Sequence, residues 1–381
     1  MGQPRLGVVW MTWREAMHAA LYGPGGFYAR GEPPARHFRT SVHVSPSYAA
    51  AIWELLRQVD AGLGHPERID LVDIGAGRGE LLEQVLAAVE RGSAGAGAEG
   101  APGADGSPGP DAPPDASGPP GSSVASGLAG RVVACAVEVA PRPAGLDPRI
   151  GWQPVPPVGI TGLVIASEWL DNVPLDVVEL TAAGPAVVQV DPATGAERLG
   201  GPPDPADLAW VRAWWPLAVC GDRAEVGGAR CEAWAGAIRR IDRGVAVAAD
   251  YGHVTAGRPA WGTLTGYLEG RAVAPLPDGS RDITAHVALD ACAAAGTAAG
   301  AGESVLTTQR AALQALGLDA RRPSLALAAN DPERYAQALG QASVNAELMD
   351  ADGLGGFGWL VQAVGTSLPA PLARLARCDP G

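Results

Sequence analysis

Leu71-Val72-Asp73-Ile74-Gly75-Ala76-Gly77-Arg78-Gly79-Glu80 is the stretch on which the architecture of this chain turns. Residues 69–74 form a short apolar run bounded by turn residues, which predicts a strand buried on both faces. Residues 80–90 then carry Leu81, Leu82, Val85, Leu86 and Val89 at helical spacing. The reading is strand, glycine turn, helix. Glycines at such a turn lack the Cβ atoms that would keep a ligand away from the backbone. Their spacing, Gly75-x-Gly77-x-Gly79, differs from the GxGxxG of dinucleotide-binding turns, and Asp73 precedes the first glycine by two positions.

A second acidic residue belongs to this pattern. Residues 131–139 read as the next apolar strand, and Glu138 lies at its end. Between the two strands, residues 92–130 are almost all Gly, Ala, Ser, Pro and Asp, a composition that predicts a disordered insertion in a surface loop. With that insertion set aside, Glu138 follows Gly79 by about 20 residues, the offset at which a strand-end carboxylate meets the ribose hydroxyls of an adenosine cofactor.

Further strands are predicted at 162–166 and 244–249, the latter after a helix-like segment at 229–241. Strands alternating with helices imply an α/β fold with a doubly wound, mostly parallel, Rossmann-like sheet. Residues 176–201 alternate in polarity and contain Ala193-Thr194-Gly195 at a hairpin position, which predicts an antiparallel flap. The organisation expected is a helical and loop segment at 1–68 closing over a Rossmann-like domain at 69–381. That domain would carry flap insertions at about 176–215 and 253–287.

Composition narrows the partners. The chain has 381 residues, 52 of them Gly and 34 Pro, and a formal net charge of −13, with every basic side chain other than His an arginine. Such a surface repels nucleic-acid phosphates. The cysteines, Cys135, Cys220, Cys231, Cys292 and Cys378, form no CxxC pair and are odd in number, so a reducing cytoplasm is expected rather than a disulfide framework. No apolar run approaches the roughly 20 residues of a membrane helix, and no signal-peptide core is evident, so no membrane association is expected. Histidines 18, 37, 43, 65, 253 and 286 show no paired ligand spacing, and no metal is expected. No GxSxG points to acyl chemistry.

Several ordered motifs remain. Leu21-Tyr22-Gly23-Pro24-Gly25-Gly26-Phe27-Tyr28 and Phe38-Arg39-Thr40-Ser41 lie before the glycine turn. Ser167-Glu168-Trp169-Leu170-Asp171-Asn172-Val173-Pro174, Asp250-Tyr251-Gly252, Gly262-Thr263-Leu264 and Asp282-Ile283-Thr284-Ala285-His286-Val287 come after it. In content and order these resemble the MidA family of methyltransferases, whose members include a mitochondrial complex I assembly factor that methylates an arginine of a protein partner. The resemblance covers most of the chain. It departs at His43, where the family has a carboxylate, and at Thr265, where it has an arginine.

The resemblance implies S-adenosylmethionine as cofactor, held by Asp73, Gly75, Gly77, Gly79, Glu138 and Glu168, with Thr40 and Ser41 closing over its methionine end. It implies a methyl acceptor on a protein, with arginine the side chain the family resemblance points to, facing Glu168, Asp171 and Tyr251, with His286 at the start of a helix. A guanidinium stays charged below about pH 12, so carboxylates are the groups able to orient it. Asp171 has a second reading, as the cap of the turn before Pro174. Two other functions fit the same cofactor site: methylation of a small-molecule oxygen or nitrogen, and an assembly factor that binds the cofactor without catalysis. A nicotinamide oxidoreductase fits the glycine spacing poorly.

Loop-closure entropy changes by only about 0.6 kcal/mol per doubling of length. Deleting residues 92–130 is therefore expected to leave folding and cofactor affinity nearly unchanged. Thermal unfolding and calorimetric titration check this, and a collapsed or non-binding deletion variant would contradict it.

Overall fold

A computed structural model describes residues 9–28, 41–44, 46–96 and 127–376. Its centre is a seven-stranded sheet made of β1 (Ile69–Ile74), β2 (Val132–Val137), β3 (Gly151–Gln153), β4 (Ile160–Ser167), β5 (Ile241–Asp250), β6 (Ser304–Thr308) and β7 (Gly358–Val364), in the order 6-7-5-4-1-2-3. The pairs β1–β2, β2–β3, β1–β4 and β4–β5 are parallel. Strand β7 runs against both β5 and β6, so the sheet is mixed. The α/β class expected from sequence therefore holds, with one reversed strand inside an otherwise parallel set.

The near-continuous apolar runs of β1, β4 and β5 follow from burial on both faces. Leu71, Leu163, Ile165, Val245 and Val247 face one layer, where they pack with Ile52, Leu55 and Leu56 of helix α2 (Pro46–Gly62) and Leu82 and Val85 of helix α3 (Glu80–Ala96). Val72, Val164, Ala246 and Ala248 point the other way. They meet Trp234 and Ile238 of helix α4 (Gly228–Ile238) and Leu289 and Cys292 of helix α5 (Leu289–Ala298). This period-two split is the strand geometry itself.

Outside the central sheet, the hairpin at Ala193-Thr194-Gly195 forms as expected, joining Gly184–Val190 to Glu197–Leu199 in antiparallel register. The flap is larger than the sequence suggested. Strands Asp176–Thr181 and Gly184–Val190 are joined by Arg223–Val226 and by Met11–Thr12 from the start of the described chain. The segment before the glycine turn is thus split between two layers. Helix α1 (Trp13–Tyr22) buries Trp13, Met17 and Leu21 against Val177 and Val188 of this flap, whereas α2 belongs to the core of the sheet. A second small antiparallel sheet of Arg271–Val273, Thr265–Leu268 and Asp282–Thr284 occupies the insertion expected at 253–287.

Both ends of the insertion expected at 92–130 are helical, because α3 continues to Ala96 and a short helix spans Leu128–Arg131. Residues 97–126, which hold the rest of it, lie outside the described residues, as does Thr40. Among the described residues no helix is long and apolar enough to cross a membrane.

In the three central strands, Gly162 of β4 lies in register between Asp70 of β1 and Gly244 of β5. A Cβ at Gly162, whose φ is +151°, would sit 2.0 Å from the Asp70 carbonyl oxygen, and one at Gly244 equally close to the Gly162 carbonyl. Both obstacles are backbone, so neither can swing aside. Gly162→Ala is expected to cost at least about 3 kcal/mol. Gly145→Ala, at a position with φ +84° and nothing nearby, should cost only about 1–2 kcal/mol. Urea unfolding of the two variants checks the difference, and equal losses would refute it.

Candidate functional site

Strand order reverses between β1 and β4, since the chain leaves β1 for β2 on one side and later lays β4 on the other. In open α/β sheets the crevice at the carboxyl ends of two such strands is where ligands bind. The glycine turn closes the end of β1 there. Gly75 and Ala76 donate their N–H groups to the Val137 carbonyl at 3.0 and 3.3 Å, which ties the turn to the end of β2. All three glycines have left-handed φ angles, +74° at Gly75, +57° at Gly77 and +85° at Gly79. Their surroundings differ. A Cβ at Gly75 would lie 3.0–3.2 Å from the Trp169 side chain and one at Gly79 2.8 Å from Leu146, whereas at Gly77 the nearest atom is Glu80 Oε2 at 3.9 Å. Packing within the fold thus accounts for Gly75 and Gly79, and Gly77 is the glycine of the three with room beside it.

Glu138 stands next to that room. Its Oε2 accepts from the Gly77 N–H at 3.1 Å, and its Oε1 accepts from Val139 at 2.7 Å and Ala140 at 3.1 Å. A carboxylate offers about four acceptor positions, so the half-buried Glu138 is oriented by three backbone donors and keeps capacity for a ligand. Asp73 is buried at the end of β1, and its pKa is pushed up to about 8 by desolvation, then by the charges of Glu138 and Glu80. An open glycine backed by a pre-oriented carboxylate suits the ribose of an adenosine cofactor.

The other wall follows β4. Glu168 has φ +52°, a conformation that costs a non-glycine residue roughly 1–3 kcal/mol and that tends to persist where function needs it. Its N–H donates to the Ala249 carbonyl at 2.9 Å, and its Oε1 receives the Ser41 N–H at 3.4 Å. Burial, then the nearby charge of Asp171, pushes its pKa up to about 8. Ser41 thus does reach Glu168, but its hydroxyl is committed to Gln309, at 3.1 and 3.0 Å from the two amide atoms.

Asp171 is buried, and its Oδ2 accepts from the Thr284 hydroxyl at 2.7 Å. The Asn172 N–H also bears on its carboxylate. The two preceding N–H groups of the turn before Pro174 are held by Asp250, which is fully buried and whose Oδ2 accepts from Leu170 at 2.9 Å and Asp171 at 3.2 Å. Burial raises the pKa of both aspartates. Tyr251 packs against Phe357 with the rings tilted by 48° and their centres 4.1 Å apart, and stacks on His286 at 5.8 Å.

His286 itself corrects the reading from sequence. It is exposed and precedes the two-residue strand Val287–Ala288, and α5 begins only at Leu289. The backbone stays extended there because Val287 donates to the Tyr251 carbonyl at 2.8 Å and pairs in parallel with Gly252.

Sequence reasoning gave no role to several residues that build this wall. Tyr28 donates to Asn172 Oδ1 at 2.9 Å and Asp282 Oδ1 at 3.1 Å, and Asn172 Nδ2 donates to the same Asp282 oxygen at 3.0 Å. Tyr22 reaches the Asn172 carbonyl at 3.2 Å. Burial, then Asp171, lifts Asp282 to about 7. Three motifs far apart in the chain thus share one network, and their recurrence as a set was the available signal. Arg230 and Glu225, both buried, carried no sequence signal.

A cavity of about 560 Å³ opens between the flap and the second small sheet, with Trp13, Glu197, Arg223, Glu225 and Trp261 among its lining residues. None of Gly77, Glu138 or Glu168 lines it, so it is separate from the crevice. No group of three or more His, Cys, Asp or Glu side chains among the described residues is placed to hold a metal ion.

The comparisons with known proteins agree with this geometry. Residues 137–306 match the model of a family described as "Putative S-adenosyl-L-methionine-dependent methyltransferase". A crystal structure of a Burkholderia thailandensis protein bound to S-adenosyl-homocysteine is similar to this chain with a TM-score of 0.70 and 24% identity, over 98% of this chain and 92% of that one. A native structure from the same organism and superfamily gives a TM-score of 0.71 at 24% identity, over 98% and 91% of the two chains. These likenesses establish the shared fold. No curated protein matches the sequence.

In the unfolded chain, Asp73 and Glu168 release their protons near pH 4, and in the folded chain near pH 8. Between those values the folded state binds more protons than the unfolded state, so stability falls as pH rises. Glu168→Gln removes one of these titrations, while those of the other buried acids remain. Urea unfolding between about pH 5 and pH 8 should therefore give a flatter stability curve for this variant than for the wild type. Parallel curves would mean that Glu168 ionises like a solvated carboxylate.

Proposed function

We propose that this protein is an S-adenosylmethionine-dependent methyltransferase acting on a protein side chain, with arginine as the acceptor suggested by the MidA resemblance. The observation that carries the reading is the pairing of Glu138 with the Gly77 N–H beside the open face of that glycine, at the point where the strand order reverses. The strand order 3-2-1-4-5-7-6, with β7 reversed, supports the doubly wound, Rossmann-like form of the fold. The matched family model and the S-adenosyl-homocysteine carried by a protein of the same fold support the choice of cofactor.

When bound, S-adenosylmethionine supplies an electrophilic methyl group on a sulfonium. The chain contributes position and charge. Glu138 would orient the ribose, and Gly77 would leave space for the cofactor to approach the backbone. Across the crevice Glu168 is a carboxyl that burial keeps from ionising cheaply. A cationic acceptor is the ligand that most favours its charged form. A guanidinium seated against Glu168 would be oriented by it, and the proton released when nitrogen accepts the methyl group has a base there to receive it. The aromatic face of Tyr251, held by Phe357 and His286, forms the adjoining wall.

Calorimetric titration with S-adenosylmethionine, S-adenosylhomocysteine and NAD, repeated on Glu138→Ala, tests the cofactor. Micromolar binding of the first two, weakened at least about tenfold by the substitution, and none of NAD, is expected. Absence of adenosyl binding would sink the reading. Labelled methyl donor incubated with cell extract should mark a protein band, and Glu168→Gln should slow that transfer about a hundredfold. A labelled organic-soluble product would point to a small-molecule acceptor, and a full rate in Glu168→Gln would remove that residue from the chemistry.

A further inference from the structure

Arg230, on α4, is 1% exposed, and each of its four hydrogen bonds ends on a main-chain carbonyl. Nε donates to Val173 at 3.1 Å, one Nη donates to Ala285 at 2.6 Å and His286 at 3.0 Å, and the other donates to Asp171. Those carbonyls belong to two segments, one leaving β4 and one leaving strand Asp282–Thr284, that meet across the acceptor side of the crevice. A guanidinium suits this place because its planar fork presents five fixed donors, whereas an ammonium is a point charge with three. Its charge also faces the buried carboxylates of Asp171, Glu225 and Asp250.

Glu225 completes the arrangement from the flap. It is 2% exposed and accepts from the Thr263 N–H, from the Thr263 hydroxyl at 2.7 Å and from the Leu264 N–H at 2.6 Å. The same Thr263 hydroxyl oxygen receives the His286 N–H at 2.8 Å. Gly262 is required beside it, with φ +78° and a Cβ position only 2.8 Å from Glu225 Oε1. The Gly262-Thr263-Leu264 motif therefore matters through its backbone and one hydroxyl, which connect the flap to the segment that carries His286.

We infer that Arg230 and Glu225 are positioning residues that clamp the segments bearing Asp171, Thr263 and His286 into one rigid acceptor wall, without touching cofactor or acceptor. What that wall meets rests on the methyltransferase reading, but the clamp itself does not. Removing the guanidinium takes a donor from all four carbonyls, of which, among the described residues, Asp171 alone keeps a main-chain donor, the Ala285 N–H at 3.4 Å. It leaves the two segments joined by that bond and by the Thr284–Asp171 and Asn172–Asp282 bonds, so their junction loosens.

Hydrogen-exchange mass spectrometry on the full chain tests this, with S-adenosylhomocysteine affinity measured on the same samples. In Arg230→Met, which keeps most of the side-chain volume, the amides of Ala285, His286 and Val287 should exchange at least about tenfold faster, and Arg230→Lys should recover part of the protection. Glu225→Gln should speed exchange at Thr263, Leu264 and His286. Cofactor affinity should stay within about twofold throughout, while transfer to the protein labelled by the wild type falls at least about tenfold. Unchanged exchange in both Arg230→Met and Glu225→Gln would overturn the inference. So would equal protection in Arg230→Met and Arg230→Lys, or a loss of cofactor affinity in step with faster exchange. If Arg230→Met does not fold, Arg230→Lys and Glu225→Gln decide the matter. A wild-type chain that binds no adenosyl compound would remove the methyltransferase reading and leave the exchange comparison to judge the clamp.

Discussion

The carboxyl edge of the sheet depends on burying acids where strand backbones run out of partners. Parallel strands that end together leave N–H groups that no neighbouring strand can satisfy. Here carboxylates meet them: Asp250 takes those of Leu170 and Asp171, and Glu138 takes those of Gly77, Val139 and Ala140. The arrangement concentrates Asp73, Glu168, Asp171 and Asp250 in a region that burial keeps poor in water, so each resists ionisation. Arg230 shares their field while donating only to carbonyls. An acidic edge of this kind has unspent attraction for a cation, which links the stability of the fold to the chemistry proposed for it.

The two walls of the crevice are built differently. The wall proposed for the cofactor is compact, a turn and the ends of two adjacent strands, tied together by the bonds from Gly75, Ala76 and Gly77 to Val137 and Glu138. The wall proposed for the acceptor is assembled from distant pieces: Tyr28 from the N-terminal segment, Asn172 after β4, Asp282 from the second small sheet, and Arg230 from α4. Such a wall is specified by many weak contacts, each needing its neighbours in place. That agrees with the spread of these residues over separate motifs that lie far apart along the chain.

The same division decides how much could be read beforehand. The glycine turn, the helix after it and the hairpin at Ala193-Thr194-Gly195 rest on local spacing and backbone freedom, and those are visible in a linear string. Glu138 became legible once the Gly, Pro and Ala-rich insertion was set aside, because its offset from Gly79 is set by one strand and one helix. His286 was misplaced because a short extended pair with Gly252, made across the fold, outweighs the helical tendency of the residues after it. Asp171 carried two readings, an acceptor-facing acid and a cap, and nothing nearby in the sequence showed that Asp250 would hold the N–H groups of Leu170 and Asp171. Nothing along the chain distinguishes Arg230 or Glu225 from surface charges, since their burial is a property of the packed helices and flap.

Sequence by itself determined the alternation of strands and helices, the glycine turn and the strand-end acid, because period, propensity and chain distance act within a few tens of residues. Tertiary structure alone decided which of the three glycines has open space, which acids lose water, and which segments Arg230 joins. Those outcomes depend on neighbours that burial brings together from far along the chain, and desolvation has no signature until the surrounding atoms are in place.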